Sequence, residues 1–301
     1  THDEWIQNSE MWQKTYVDTL WTQDNTLSLK GRNNNYMGIA GINYEISFKQ
    51  YVGVKYTHSV SPNNTVFSEM ISNVHADGVF YDKWSSIEDK STKNKPVHRF
   101  SSYYNGTFGD FNVDFNADYY TSKNVSTSTI TEKSQEYDDR QVNSVSNDDN
   151  QLLASKLVLT HPLAGGELSA GSEYTNTHRN DEYRNIQNIV PSSKTTIQEQ
   201  NIALFAEYSR TTSIGQFGAG LRYENVNSEY FENEVLNKEQ SRHYSQWFPN
   251  LFFGTKIKNV GLQLSYTAKT KRPTYRQLSN NVFYGNRLLL QTGNPYLKPA
   301  V

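Results

Sequence analysis

Along much of this chain, apolar and polar residues alternate one by one. In residues 111–119, Phe111, Val113, Phe115, Ala117 and Tyr119 fall on one side and Asn112, Asp114, Asn116 and Asp118 on the other. Residues 216–224 place Phe217, Ala219, Leu221 and Tyr223 opposite Gln216, Gly218, Gly220, Arg222 and Glu224. Residues 260–269 place Val260, Leu262, Leu264, Tyr266 and Ala268 opposite Gly261, Gln263, Ser265, Thr267 and Lys269. Successive side chains of a strand point to opposite faces, so a period of two predicts strands with one apolar and one wet face. A period of 3.6 fits none of these stretches. Residues 4–21, with Trp5, Met11, Trp12, Tyr16 and Leu20, are the one segment that does not read as strand.

The predicted strands come in pairs. Short turns at Phe48-Lys49-Gln50, Gly109-Asp110, Pro162 to Gly165, Ser213-Ile214 and Lys258-Asn259 join ten of them between residues 36 and 270. Such short links are hairpin turns. The links between pairs, residues 59–98, 122–150, 178–199 and 229–243, are polar and read as long loops. Short turns at one end and long loops at the other are the arrangement of a transmembrane barrel. A soluble sandwich also alternates, but its connections do not sort by end.

Composition agrees. Only 35% of the 301 residues are hydrophobic and mean hydropathy is −0.77, yet 21 Tyr, 14 Phe and 5 Trp argue against disorder. No run of about 18 apolar residues is present to form a membrane helix; barrel strands need only about 9–11 alternating residues. Net charge is −2 with no basic stripe, so no nucleic-acid partner is expected. The absence of cysteine excludes disulfides and thiolate metal sites. The apolar face is too thin for a shared core but sufficient to meet outer-membrane lipid. Tyr56, Tyr119, Tyr120, Tyr174, Tyr208, Tyr223 and Trp247 are expected in the interfacial girdles, where an amphipathic ring sits half in lipid.

One stretch carries a more specific signal. After the strand ending near Ala268 come Arg272, Pro273, Tyr275, Arg276, Gln277 and Leu278, then Gly293, Asn294, Pro295, Leu297, Lys298 and Pro299. With the blocks "QNIALFAEYS", "GAGLRYE", "WFPNLFFGTKI" and "KLVLTHPLAGGELSAGSEYT", this order resembles the C-terminal half of TonB-dependent receptor barrels of the Bacteroidetes type, the outer membrane protein β-barrel family. The likeness spans roughly residues 36–299. It implies an all-β, antiparallel, up-and-down transmembrane β-barrel. Residues 1–301 would be a partial outer-membrane barrel domain, about half of a roughly 22-stranded wall. It also implies partners: a plug domain and an inner-membrane energy-coupling complex reached through segments outside these residues, a small nutrient ligand, and in some systems a surface lipoprotein. The expected location is the outer membrane of a Gram-negative bacterium. Family barrels carry further strands, an upstream plug and a TonB-contacting segment, so the chain is expected to be a piece of a longer protein.

No catalytic constellation emerges, and neither enzyme activity nor a cofactor is expected. Seven scattered His residues include no H-x-x-x-H pair. His161 beside Thr160 and His58 beside Ser59 come nearest to a hydrolase arrangement, and both read as structural. The acidic runs at 147–150 and 180–182 raise calcium binding, against the simpler reading of solvated charge. Candidate ligand contacts are Tyr275, Arg276, Tyr284 and Arg287, in a loop expected to roof the pore. Two functions remain open: energy-coupled import of a scarce nutrient, or an outer-membrane barrel acting as an adhesin or lipoprotein-binding protein. A soluble β protein is a distant third.

Overall fold

A computed structural model of the chain, which describes residues 1–287 and 289–300, is almost entirely strand. One sheet holds β1 (His2–Tyr16), β2 (Leu20–Asn34), β3 (Tyr36–Ser47), β4 (Gln50–Val60), β5 (Asn64–Ala76), β6 (Val79–Asn94), β7 (Val97–Phe108), β8 (Phe111–Lys133), β9 (Arg140–Leu163) and β10 (Gly166–Asn185). It continues with β11 (Ser193–Thr212), β12 (Gly215–Glu232), the stub β13 (Val235–Leu236), β14 (Arg242–Ile257) and β15 (Val260–Thr267). A four-residue helix α1 (Tyr275–Leu278) and the hairpin β16 (Val282–Asn286) and β17 (Leu289–Thr292) follow.

Sheet order looks branched, because β2 pairs β5 while β3 pairs β4, and both β6 and β7 pair β8. The branching dissolves at three short interruptions, at Asn35, at residues 61–63 and at residues 95–96. Pro62 and Pro96 lack the amide hydrogen that a ladder needs. Pairing resumes on the same neighbour beyond each break: Asn94 N donates to Ser61 O at 2.9 Å and Lys95 N to Lys123 O at 2.8 Å. With each interrupted pair taken as one strand and β13 set aside, the sheet is an eleven-strand antiparallel meander. This includes the ten strands expected from alternation and β1, which the sequence pattern did not reveal. β1 pairs β2 over all fifteen of its residues, and its apolar side chains scatter because both faces of this edge strand are open. The sheet does not close: β1 and β15 are its edges. The described residues thus form an open arc of fifteen strand segments, with β16 and β17 as a separate two-stranded hairpin, and not a closed barrel.

The five expected short turns are all present, at residues 48–49, 109–110, 164–165, 213–214 and 258–259. Ala164 (φ 49°), Gly165 (φ 74°) and Gly109 (φ 61°) take the left-handed backbone that tight hairpins require. The expectation of long loops at the other end is wrong. Strand structure claims most of residues 59–98, 122–150, 178–199 and 229–243, and the actual links shrink to 77–78, 134–139, 186–192 and 233–241. β8 continues to Lys133, paired to β9 from Ser122↔Asn150 to Glu132↔Arg140. In this upper part both faces are wet, so alternation vanishes from the sequence while Thr and Val keep the backbone extended.

Register carries the alternating faces from strand to strand. Val54, Phe100, Phe115, Tyr119, Leu153, Leu204, Leu221, Leu251 and Leu264 share one face, and Asn116, Lys156, Glu173 and Arg222 the other. Leu204 is 56% exposed, Leu264 73% and Ile42 70%. A contiguous apolar surface this bare is not found on a water-soluble monomer; it fits hydrocarbon. Aromatic contacts border it on both sides: Tyr56 with Phe100 and Tyr223 with Trp247 at 4.8 Å between centroids above, Phe111 with His161 at 4.2 Å and Phe217 with Phe253 at 4.8 Å below. Phe111 and Tyr119 are about 26 Å apart along β8 at ~3.3 Å per residue, against a lipid-facing band of about 25 Å. Tyr120 does not belong to this girdle. It points to the polar face under Arg99, whose guanidinium lies 5.6 Å from the ring centroid. Among the described residues no helix is long and apolar enough to cross a membrane.

Candidate ligand cleft under an inner strap

Residues 268–300 leave β15 and fold onto the polar face of the sheet as a strap. Local chemistry shapes it. Thr274 caps α1: its hydroxyl accepts from Gln277 N at 3.4 Å, and Gln277 Oε1 accepts from Thr274 N at 2.9 Å. Gly293 lies against that turn, where a Cβ would meet the carbonyl oxygens of Ser279, Gln277 and Arg276 at 2.5–2.7 Å. Asn294 N donates to Gln277 O at 2.6 Å. The two halves of the sequence motif, Arg272–Leu278 and Gly293–Pro299, are therefore one folded unit. Gly293→Ala should loosen the strap by about 1–3 kcal/mol while leaving the sheet intact. This is checked by comparing protease cleavage of the strap with the amount of folded barrel.

Polar anchors tie the strap to β8, β10, β11 and β12. Fully buried Glu132, near the end of β8, accepts from Tyr284 Oη at 2.9 Å, Arg287 N at 2.7 Å and Arg140 Nε at 2.9 Å. Arg287 also donates to Asp138 O at 3.2 Å. Tyr183 of β10 stacks edge-on against Phe283, and its hydroxyl oxygen accepts from Tyr284 N at 3.3 Å. Ser193 of β11 donates to Asn281 Oδ1 at 2.5 Å, and Asn280 N donates to Tyr230 Oη of β12 at 3.2 Å. A small core of Ile130, Val142, Tyr183, Val190 and Tyr284 forms where these meet. Desolvation at this core, and the Glu132 carboxylate, push the Tyr284 phenol upward.

The expected ligand contacts therefore divide. Tyr284 is buried and Arg287 nearly so, both engaged by Glu132. Tyr275 is half-buried, with the Arg179 guanidinium 5.9 Å from its ring centroid and its phenol raised by burial. Arg276 is exposed to solvent. Alternation did not mark Glu132 and Arg140, which lie in a stretch that read as loop.

Below the strap runs a chain of opposite charges on the polar face. Lys156 meets Glu173 at 3.0 Å, Glu173 meets Arg222 at 2.5 Å and Arg222 meets Glu224 at 2.7 Å. Glu224 meets Arg272 at 2.5 Å, and Arg272 reaches Glu199 at 4.0 Å. Arg272, first residue of the motif, thus ends a ladder that climbs β9, β10 and β12. Two clefts adjoin at Arg272. One of about 420 Å³ lies between the strap and Tyr230, Arg242 and Tyr244; the other, about 400 Å³, lies lower beside Arg222, Phe248 and Asn250.

The two acidic runs also come together, since Asp148 pairs Asp181 and Asp149 pairs Asn180 across β9 and β10. Arg179 Nε lies 2.6 Å from Asp181 and a second nitrogen 3.8 Å from Asp148, so a guanidinium occupies the place a cation would take. Among the described residues no group of three or more His, Asp or Glu side chains forms a metal site. Burial lifts the Asp181 carboxyl to about 6, the Asp148 carboxylate adding to the rise and Arg179 opposing it. The folded state then holds a proton that the unfolded chain releases at lower pH. The site's contribution to stability falls as pH rises from about 4 to about 6 and is least above that. Asp181→Asn should flatten this part of the melting profile, and an unchanged slope in thermal melts across the window would contradict it.

Among the described residues, both histidines that came nearest to a hydrolase arrangement lie away from the cleft. His161 is on the apolar face, stacked on Phe111, and His58 and His98 lie 5.4 Å apart at the girdle with Tyr56.

Comparison with known proteins adds a family. The model of the outer membrane protein beta-barrel family matches residues 106–301. No curated protein matches the chain. Among solved structures, the translocator domain of the autotransporter NalP from Neisseria meningitidis is 9% identical, over 89% of this chain and 81% of its own, with a TM-score of 0.32. The outer membrane protease OmpT from Escherichia coli is 10% identical, over 88% and 96%, with a TM-score of 0.29. The β domain of the Bordetella autotransporter BrkA is 8% identical, over 88% and 91%, with a TM-score of 0.32. Likenesses this slight bear on neither mechanism nor ligand.

Proposed function

The chain belongs to the outer membrane protein beta-barrel family and is a protein of the Gram-negative outer membrane; from that premise we propose that it is wall and extracellular surface of a TonB-dependent receptor that imports a scarce nutrient. In this reading the eleven-strand arc is about half of a roughly 22-stranded wall. A plug domain fills the lumen, and an inner-membrane complex drives its movement. Cargo is bound and released without bond chemistry and without a cofactor, and a surface lipoprotein joins in some systems.

The observation that carries the proposal is the strap. The motif that resembles this receptor class is the segment that folds onto the polar face, and its Arg272 completes the charge ladder there. A solute descending the lumen would meet Arg272, Tyr275 and Arg276 before the ladder of Glu224, Arg222, Glu173 and Lys156.

A second reading has its own support. β8 runs on from Tyr119 to Lys133, about 45 Å of strand beyond the girdle at ~3.3 Å per residue. A wall this tall offers surface for an adhesin or a lipoprotein-binding barrel. Growth of a deletion strain on limiting nutrients, with and without a proton-motive-force uncoupler, separates the two. The import reading expects loss of one energy-dependent uptake, and unchanged accumulation of every nutrient would overturn it.

A further inference from the structure

Arg242 differs from the ion-paired arginines around it on the polar face. Arg179, Arg222, Arg272 and Arg287 each pair with at least one carboxylate. Among the described residues no carboxylate pairs with Arg242; its one hydrogen bond goes to the carbonyl oxygen of Pro295. It is half-buried, and desolvation pulls its guanidinium down from the usual value, with Glu199 and Tyr244 only partly offsetting this. Arginine stays charged throughout the physiological range. A half-buried cation with no carboxylate in direct contact is costly, and an incoming anion relieves that cost.

The surroundings narrow the ligand further. Arg242 lines the cleft of about 420 Å³ with Tyr230, Tyr244 and Tyr275, a volume within the range of small-molecule sites. The guanidinium of Arg272 lies 5.9 Å from the centroid of Tyr244, orienting that ring within the cleft. Glu199 also lines the cleft, but its charge is directed at Arg272, 4.0 Å away. Guanidinium matches the planar geometry of a carboxylate, and tyrosine faces offer stacking area.

We infer that this cleft binds organic anions that carry a ring, with the carboxylate on Arg242 and the ring against Tyr244 and its neighbouring tyrosines. This deepens the import reading and rests on it for physiological meaning, but the binding itself is independent of transport. Acidic sugars and aromatic carboxylates share this chemistry.

The test is calorimetric titration of the full chain in detergent micelles with two probes of equal ring content. One is 4-nitrophenyl β-D-glucuronide, which carries a carboxylate; the other is 4-nitrophenyl β-D-glucoside, which does not. The glucuronide should bind at least tenfold more tightly. Arg242→Gln should reduce the glucuronide to the level of the glucoside and leave the glucoside unchanged, which also reports that the cleft has folded. Tyr244→Ala should weaken both probes and preserve their ratio. Equal affinities in the unmodified protein, binding of neither probe, or a preference that survives Arg242→Gln would overturn the inference. Failure of energy-dependent uptake with this preference intact would instead overturn the import reading alone. Comparing glucuronide with benzoate separates acidic sugars from aromatic acids.

Discussion

Replacing Glu132 by alanine should release the strap from the far side of the sheet. Glu132 is fully buried and serves Tyr284, the Arg287 backbone and the Arg140 guanidinium at once. Its loss leaves two arginines and a phenol in a desolvated pocket without their acceptor. Removing one partner of such a buried group costs about 3–5 kcal/mol, because the remaining charges stay uncompensated. The sheet should survive, since ladder bonds between β8 and β9 do not depend on this side chain. At about 3 kcal/mol the population with an open strap rises roughly a hundredfold. Trypsin cleavage within residues 268–300 should accelerate accordingly wherever cleavage follows the open population. Glu132→Gln keeps an acceptor for Tyr284 and should be intermediate. Equal cleavage rates in the unmodified protein and Glu132→Ala would show that the strap is held by something else.

Phe115→Arg should damage the protein through the opposite face. Phe115 lies midway between the aromatic boundaries at Phe111 and Tyr119 and points to the apolar side. An arginine at the hydrocarbon midplane costs about 2–4 kcal/mol. Asn116, the next residue, points the other way and lies opposite Lys156. Asn116→Glu places a charge beside that lysine in a wet environment and should change stability by less than about 1 kcal/mol. Equilibrium unfolding from lipid vesicles measures both. If the two substitutions cost the same, the assignment of faces is wrong.

The contrast between adjacent residues also shows why the lower part of the sheet was legible in the sequence and the upper part was not. From Phe111 to Tyr119 one face meets lipid and the other water, so each side chain records its direction. From Thr121 to Lys133 both faces meet water or the strap, and nothing in the order of Ser, Thr, Asn and Lys distinguishes a strand from a loop. β1 was missed for a related reason. Its Trp, Met and Tyr side chains sit on a sheet edge exposed on nearly all sides, where no packing enforces alternation. Tyr120 was misplaced because an aromatic at a strand end satisfies a girdle as readily as a cation–π contact with Arg99.

The strap was partly legible. Its motifs marked it as special, although β15 already ends at Thr267, ahead of Pro273. The roles of its residues depended on partners up to 155 positions away, as with Arg287 and Glu132, and local pattern carries no information at that range. Tyr284 and Arg287, chosen as exposed contacts, are anchors for that reason. Arg242, a half-buried guanidinium without a carboxylate among ion-paired neighbours, could not be told from any other arginine until those ion pairs were known.

The central claim is that one row of side chains faces hydrocarbon while the next faces water. The protein contains no cysteine, so single cysteines at positions 111–119 can each carry a spin label without background. The measurement is label accessibility to lipid-soluble oxygen and to an aqueous nickel complex in reconstituted vesicles. Oxygen should dominate at positions 111, 113, 115, 117 and 119 and nickel at 112, 114, 116 and 118, alternating without a break. Accessibility that is uniform along the stretch, or that repeats every three to four residues, would contradict the account.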